Sequence, residues 1–225
     1  MNRSIVLVAS LLLGGCTGVQ RYGVPRTLAP GDVAHHVSVD VGSFTPAIAV
    51  GCDGNGCDRG GTSMAPVPSW TLRAGIDEGV ELGFGLALDL SLGLDVKVEL
   101  LRSRSFDLAI APGLTFWGHA GYDVSNQPGP AVAVMLPLLA GINLGDVTLV
   151  PGGGVGLVAG GTETGRVTWA GSFAAWFRLG DGVALAPGVT LFGAPPDEAA
   201  PRLVGGLGLV LGDLPSYGEN TPAPP

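Results

Sequence analysis

The sequence has few charged residues and no long apolar run beyond its N-terminus. Asp, Glu, Lys and Arg make up 13% of the 225 residues, against about 25% in typical globular proteins. The net charge is -8 and there is no basic cluster, which argues against nucleic acid as a partner. After the N-terminus no run reaches about 18 apolar residues, which excludes a membrane-spanning helix. If the chain crosses a bilayer, it must do so with strands.

Glycine and hydrophobic residues are plentiful instead. The chain contains 39 Gly and 18 Pro, its hydrophobic fraction is 46% and its mean hydropathy is +0.44. A disordered chain would need low hydrophobicity and high charge, so disorder does not fit. The length is sufficient for one good-sized domain. The composition therefore predicts one folded, unusually apolar, glycine-rich domain.

The clearest pattern lies in residues 80–100, which read VELGFGLALDLSLGLDVKVEL. Every even position is apolar, and every odd position is small or charged. A period of two predicts β-structure with one apolar face. The stretch is too long for one strand, so it predicts a hairpin. Apolar residues stay at even positions on both sides of the turn, and paired residues on one face have even index sums. The connecting loop near residues 88–91 is therefore predicted to have an odd length.

The same alternation recurs and predicts ten strands. Besides the two halves of residues 80–100, they are residues 36–50, 69–77, 105–118, 131–144, 147–159, 166–179, 183–192 and 202–211. Pro137, Pro151 and Pro187 fall inside strands and predict bulges, because proline removes a ladder donor. Tight connections alternate with longer ones, except at residues 88–91. This layout is typical of outer-membrane barrels, with tight periplasmic turns and longer extracellular loops.

Alternation alone also fits a soluble β-sandwich, whose apolar face would point inward. The composition of the other face distinguishes the two folds, because the solvent-facing side of a soluble sheet needs many charged residues. Here that face is mostly Gly, Ala, Ser and Thr, with sparse charges of both signs. Small residues and paired charges suit the interior of a narrow barrel. The predicted ion-pairing residues of the lumen are Asp40, Arg73, Glu81, Asp95, Lys97, Glu99, Asp107, Arg166, Arg178 and Arg202.

Over residues 34–211 the chain resembles small bacterial outer-membrane β-barrels. The resemblance implies an all-β fold, a closed antiparallel up-and-down transmembrane β-barrel of about ten strands, with eight and twelve as alternatives. Aromatic residues near the predicted strand ends would form girdles at the membrane surfaces: Trp70, Trp169, Trp176, Phe116 and Trp117. The alternation along their strands predicts that two of them, Trp176 and Trp117, point inward. Such barrels often end in an aromatic residue, whereas this last strand ends at Leu211 and a Pro-rich tail follows.

The N-terminus has the features of an export signal. Arg3 precedes apolar residues 5–13, and Leu13-Gly14-Gly15-Cys16 follows. This tetrad resembles the lipobox of bacterial lipoproteins, which implies acylation of Cys16 as the mature N-terminus. Thr17 in place of Asp implies transfer to the outer membrane. The alternative is an ordinary signal peptide with an incidental cysteine.

These features predict four regions. Residues 1–15 are a lipoprotein signal peptide, 16–34 a lipidated N-terminus and periplasmic tether, 35–212 the transmembrane barrel and 213–225 a Pro-rich tail. Both termini are expected in the periplasm, with the anchor in the outer membrane. The expected partners are membrane lipid and, during biogenesis, the machineries that insert outer-membrane proteins and sort lipoproteins.

The remaining cysteines are Cys52 and Cys57. In an exported protein, a pair at short spacing predicts a disulfide that closes a small loop. A metal site with Asp53 and Asp58 is the alternative. It lacks a nearby histidine or a second cysteine pair for tetrahedral coordination.

The sequence offers little chemistry. Residues 154–159 match a G-x-G-x-x-A dinucleotide fingerprint, but another strand follows where the fingerprint needs a helix, so no cofactor is expected. The alternative with catalysis is a hydrolase at the extracellular rim of the barrel, with His119 and either Asp123 or Ser125 as its candidate catalytic residues. The favoured function is a structural, surface-binding or very narrow pore role without catalysis. The other alternative is a periplasmic β-sandwich tethered by Cys16.

Overall fold

The computed structural model describes residues 23–44, 49–53, 56–59, 63–88, 91–117, 131–160, 163–193 and 202–215. Its strands are β1 (Val33–Phe44), β2 (Ala49–Asp53), β3 (Gly56–Arg59), β4 (Ser63–Asp77), β5 (Val80–Ala87), β6 (Ser91–Arg102), β7 (Phe106–Ile110), β8 (Gly113–Trp117), β9 (Ala131–Asn143), β10 (Val147–Gly160), β11 (Glu163–Gly180), β12 (Val183–Gly193) and β13 (Arg202–Gly212). Among these residues no helix is long and apolar enough to cross a membrane.

The strands close into an antiparallel ring. Each barrel strand pairs with its neighbours along the chain, and β1 pairs with β13 to complete the circle. β7 and β8 are two short strands that both lie between β6 and β9 and pair with each of them, so together they count as one strand of the ring. The ring therefore has ten positions, and β2 and β3 form a separate hairpin outside it. The prediction of a closed, ten-stranded antiparallel barrel is confirmed.

The apolar face of every barrel strand points outward. Leu94, Leu136 and Val155 are 57%, 51% and 59% exposed, whereas the lumen-facing Lys97 and Thr168 are each 1% exposed. Successive side chains point to opposite faces, so one register decides the whole pattern. In a sandwich the leucines and valines would be the buried set. The β-sandwich alternative is therefore wrong.

The two ends of the barrel differ. The turn rim carries the tight turns that join β4 to β5, β6 to β7, β9 to β10 and β11 to β12. Gly79 and Gly182 have φ angles of 73° and 76° in two of these turns, a conformation that favours glycine. The strand ends that flank residues 45–62, 88–90, 118–130, 161–162 and 194–201 lie at the other end, here called the loop rim. The odd three-residue loop after β5 agrees with the parity prediction, since Leu86 pairs with Leu92.

Two details differ from the sequence-based expectation. β4 begins at Ser63 rather than at residue 69, and Pro66 and Pro68 pair within it opposite β1. The predicted bulges at the prolines are also wrong. At Pro151 the β9–β10 pairing skips two residues and resumes in the same register. The register shifts lie elsewhere, at positions such as Gly75/Asp77 and Glu99/Leu101. Proline removes a donor without adding a residue, so the ladder is interrupted but not displaced.

Candidate functional site

One side of the lumen near the turn rim carries charges on adjacent strands. The register places Glu81 of β5 opposite Lys97 of β6, and Arg73 of β4 opposite Gly83 of β5. Because Gly83 has no side chain, Arg73 reaches over it to Asp95 on the next strand. A Cβ at Gly83 would lie 2.3 Å from the Asp95 Oδ2 atom. The local sequence therefore brings charges from three strands into contact.

These charges form a linked set of ion pairs. Arg73 pairs with Glu81 and also with Asp95, at 2.5 Å, and Lys97 Nζ lies 2.9 Å from Glu81 Oε2. Farther along the same side, Arg102 pairs with Glu99 at 2.6 Å. Burial of an unpaired charge is costly, whereas each of these groups has an opposite charge in contact. Mutual pairing therefore offsets the cost of burying these charges in the lumen.

The N-terminal segment Gly23 to Leu28, here called the plug, is buried across this end of the lumen. Its backbone donates to barrel carboxylates, from Leu28 N to Glu81 Oε2 at 3.0 Å and from Thr27 N to Glu99 Oε2 at 3.0 Å. Lys97 Nζ donates to the carbonyl of Val24 at 2.9 Å. These bonds satisfy backbone groups that have no strand partner.

One side chain of the plug completes the charged set. Arg26 Nη2 lies 2.8 Å from Asp107 Oδ1 and also donates to the Ser103 carbonyl at 2.5 Å. Asp107 is fully buried, and its second carboxylate oxygen accepts from Asn143 at 2.8 Å. The plug therefore supplies the cation that pairs with Asp107, the carboxylate of β7.

A tight reversal connects the plug to β1. Asp32 N donates to the Ala29 carbonyl at 3.0 Å, and Gly31 has a φ of 92°. The reversal rests against Gly75, where a Cβ would lie 2.1 Å from the Ala29 oxygen. Residues 16–34 were expected to form a periplasmic tether. The structure instead places residues 23–28 inside the barrel, because their unpaired backbone groups find carboxylate and ammonium partners there.

The opposite side of the same end is apolar. A buried cluster joins the plug to β1 and to the strands β10 to β13, and Leu214 packs against it; its members are Val24, Leu28, Ala34, Val150, Ala174, Trp176, Ala184, Ala186 and Val210. Trp176 is 7% exposed and lies inside the lumen. It therefore does not belong to an aromatic girdle, in agreement with its inward parity. Trp169 and Phe116 face outward, 37% and 40% exposed.

The chain end after β13 also folds over this rim. Asp213 Oδ2 accepts from Val33 N at 2.8 Å, and Arg178 donates to the carbonyl of Pro215. Pro215 is buried. Both flanks of the barrel sequence therefore help to close the turn rim.

The other predicted lumen residues lie apart from this cluster. Asp40 is buried in the lumen on β1, toward the loop rim, and Arg178 contacts the C-terminal segment. Arg166 and Arg202 lie on β11 and β13, and their side chains are outside the described residues. Sequence reasoning missed Arg26 and Arg102. Strand alternation puts Arg102 on the face opposite to Glu99. The register shift between Glu99 and Leu101 returns it to the lumen side, opposite Asp107, and the local sequence carries no signal for this shift.

Several predictions fall outside the described residues. Cys16, His119, Asp123 and Ser125 are among them, so the lipid anchor and the rim hydrolase stay predictions. Cys52 and Cys57 are register partners in the β2–β3 hairpin, but their side chains are not described, and the disulfide also stays a prediction. In the described part of the chain, no group of three or more His, Cys, Asp or Glu residues has a metal-binding arrangement.

A closed ring of antiparallel strands with an apolar exterior and a polar interior is the architecture of outer-membrane β-barrels. No protein-family model matches the sequence. No curated protein matches it either.

Three solved structures illustrate the likeness in fold. The outer membrane protease OmpT from Escherichia coli is 6% identical with a TM-score of 0.48, over 84% of this chain and 99% of that one. The translocator domain of the autotransporter NalP from Neisseria meningitidis is 12% identical with a TM-score of 0.42, over 82% and 89%. A bacterial polysaccharide outer membrane secretin is 12% identical with a TM-score of 0.45, over 65% of this chain. The matched region spans 56% of the secretin.

Proposed function

We propose that this chain is an outer-membrane β-barrel whose lumen is closed at the turn rim by its own N-terminal segment. Its role is structural or surface-binding, exerted through the loop rim, and the proposal assigns it no reaction. The observation that carries this proposal is the continuous outward-facing set of exposed leucines, valines and phenylalanines around a closed ring. Exposure of such an apolar surface is unfavourable in water and favourable against lipid acyl chains.

Strand length supports a transmembrane position. A tilted transmembrane strand needs about 9–11 residues. β1, β6, β9, β12 and β13 contain 12, 12, 13, 11 and 11 residues. The turn rim would face the periplasm and the loop rim the exterior, following the usual asymmetry of these barrels.

The position of the plug is compatible with a lipid anchor at Cys16. An extended chain covers at most about 3.5 Å per residue. The segment between Cys16 and Gly23 therefore reaches about 25 Å at most, which is sufficient to pass from the turn rim to the inner leaflet beside the barrel. We propose that acylated Cys16 holds the N-terminus close to the plug.

The filled interior supports a closed barrel. Barrels of about eight strands have an interior just wide enough for side chains. Here the plug, the ion pairs and Trp176 occupy the end at the turn rim, and the side chains of Ser38, Asp40 and Thr168 farther along are also buried. We therefore expect no steady conductance from the intact protein.

The test combines fractionation with conductance. The full-length protein should remain in the membrane after carbonate washing and migrate faster on a gel before heating than after heating. Cys16→Ala should abolish incorporation of labelled palmitate while the heat-dependent shift is retained, because the barrel does not need the anchor to fold. In planar bilayers the protein should produce no conductance steps. Release of wild-type protein by carbonate, or migration independent of heating, would contradict the proposal.

A further inference from the structure

We propose that the turn-rim end of the lumen is a peptide-binding site that the plug occupies reversibly. Its ligand class is a short peptide that carries a guanidinium group. The inference rests on the proposed function, since it requires a folded, closed barrel. It goes further by treating residues 23–28 as a bound ligand rather than as part of the wall.

The contacts are those by which a protein recognises a peptide main chain. Glu81 and Glu99 each accept an N–H of the plug, at 3.0 Å in both cases. Lys97 donates to the carbonyls of Val24 and Arg26, at 2.9 and 3.3 Å. The recognising groups are barrel side chains, and the recognised groups are two amides and two carbonyls. The backbone bends at Pro25 and Arg26. Any peptide that can adopt this bend offers the same groups, so the site is not restricted to this segment.

One contact selects for a cation. Five ion pairs among the described residues join four cations to four carboxylates at this end, and Arg26 is the cation that the plug contributes. Without Arg26 three cations face four carboxylates, and Asp107, fully buried, loses its guanidinium partner. An uncompensated buried carboxylate strongly disfavours the vacant state. The site therefore prefers a peptide with a guanidinium at the position of Arg26.

The connection to β1 allows the plug to leave. Ala29, Pro30 and Gly31 are exposed, and nothing lies within 4 Å of an added Cβ at Gly31. β1 begins only at Val33. Gly31 N donates to the Gly75 carbonyl at 2.9 Å and Gly75 N donates to the Asp32 carbonyl at 3.0 Å, so the reversal stays attached to β4. Rotation ahead of these bonds, at Leu28 and Ala29, would move the plug while the ladder between β1 and β4 stays intact.

Lys97 provides a readout of occupancy. It is the only lysine in the sequence, it is 1% exposed, and its Nζ is covered by the plug carbonyls. An amine-reactive acetylating reagent, followed by peptide mass spectrometry at Lys97, therefore measures how often the site is vacant. The full-length protein in detergent micelles is the substrate.

The main variant replaces residues 24–28 with Gly-Ser-Gly-Ser-Gly. We expect Lys97 of this variant to react at least tenfold faster than in the wild type. An N-acetylated peptide of residues 23–29, added in excess, should restore protection, and the same peptide with Arg26→Ala should not. Arg104→Ala, which removes a cation from an exposed turn, is the control and should react as the wild type does.

Three outcomes would overturn the inference. In the first, the replaced variant keeps its heat-dependent gel shift but its Lys97 stays unreactive. In the second, the two peptides protect Lys97 equally. In the third, the replaced variant loses the gel shift, and Lys97 of Arg26→Ala, tested in its place, reacts no faster than Lys97 of Arg104→Ala. Failure of the proposed function would show differently, because the wild type itself would lack the gel shift or be released by carbonate.

Discussion

The two sides of the lumen hold the plug by different means. On the side of β4 to β7, carboxylates and an ammonium group bind specific atoms of its backbone and Arg26. On the side of β10 to β13, Trp176 and small apolar side chains fill the remaining space. Hydrogen bonds depend on direction and distance, whereas apolar packing depends mainly on volume. The charged side therefore determines where the plug lies, and the apolar side determines how tightly it is packed.

The largest expected effect is on the charged side. Glu81 is 1% exposed and accepts from Arg73, Lys97 and Leu28. Glu81→Ala leaves two buried cations without this partner, so the free energy of unfolding should fall by about 4 kcal/mol. Urea titration of protein folded in lipid vesicles measures it. Glu78→Ala, in an exposed turn, is the control; equal losses from the two variants would contradict the comparison.

The apolar side should respond somewhat less. Trp176→Ala removes a large buried ring from the cluster that contacts the plug, and the unfolding free energy should fall by about 3 kcal/mol. Trp176→Phe should lose less, because a smaller cavity remains. The same vesicle titration, read by the heat-dependent gel shift, applies. A loss below about 1 kcal/mol for Trp176→Ala would show that the ring does not fill this space.

Substitution of two glycines compares a position that faces the lumen with one on the outer surface. A Cβ at Gly83 would lie 2.3 Å from Asp95 Oδ2, whereas nothing lies within 4 Å of one at Gly171. Gly83→Ala should therefore weaken the Arg73–Asp95 pair and cost about 2 kcal/mol. Gly171→Ala should leave the unfolding midpoint in urea unchanged. Equal midpoints for the two variants would contradict the packing described for Arg73.

The smallest effect concerns one hydroxyl group of the plug. Thr27 Oγ1 donates to Glu99 Oε2 at 2.9 Å. Thr27→Val keeps the shape but removes this bond and the one that Thr27 Oγ1 accepts from Arg102 Nη2 at 3.3 Å, so stability should fall by about 1.5 kcal/mol. Thr27→Ser, which keeps the hydroxyl, should stay closer to the wild type in the same titration. The reverse order would mean that the methyl group matters more than these bonds.

Local alternation made the barrel predictable, but the plug depends on distant partners. Residues 80–100 predicted a hairpin, and the charges at Glu81, Asp95, Lys97 and Glu99 lie in the lumen. Nothing in the local pattern around Val24 and Arg26 pointed inward, because this segment has no period and its partners are far along the chain. Thr27 and Glu99 are 72 residues apart. A lone arginine beside apolar residues does not reveal which carboxylate it will meet.

Prolines explain the errors in strand bounds. Pro66 and Pro68 suggested a loop before residue 69, although both pair within β4. A proline on one strand costs a single donor, and the neighbouring residues continue the ladder. The inward parity of Trp176 was visible in the sequence, but only the packing around it showed that the ring contacts the plug.

The most direct test of the account measures which side of β11 touches lipid. Trp169 and Trp176 lie on this one strand, 37% and 7% exposed. Two single-tryptophan proteins, with the other tryptophans changed to Phe, would be folded into vesicles of lipids with brominated acyl chains. We predict strong fluorescence quenching of Trp169 and little quenching of Trp176. Quenching of Trp176 with Trp169 unaffected would place the apolar face inside and contradict the account.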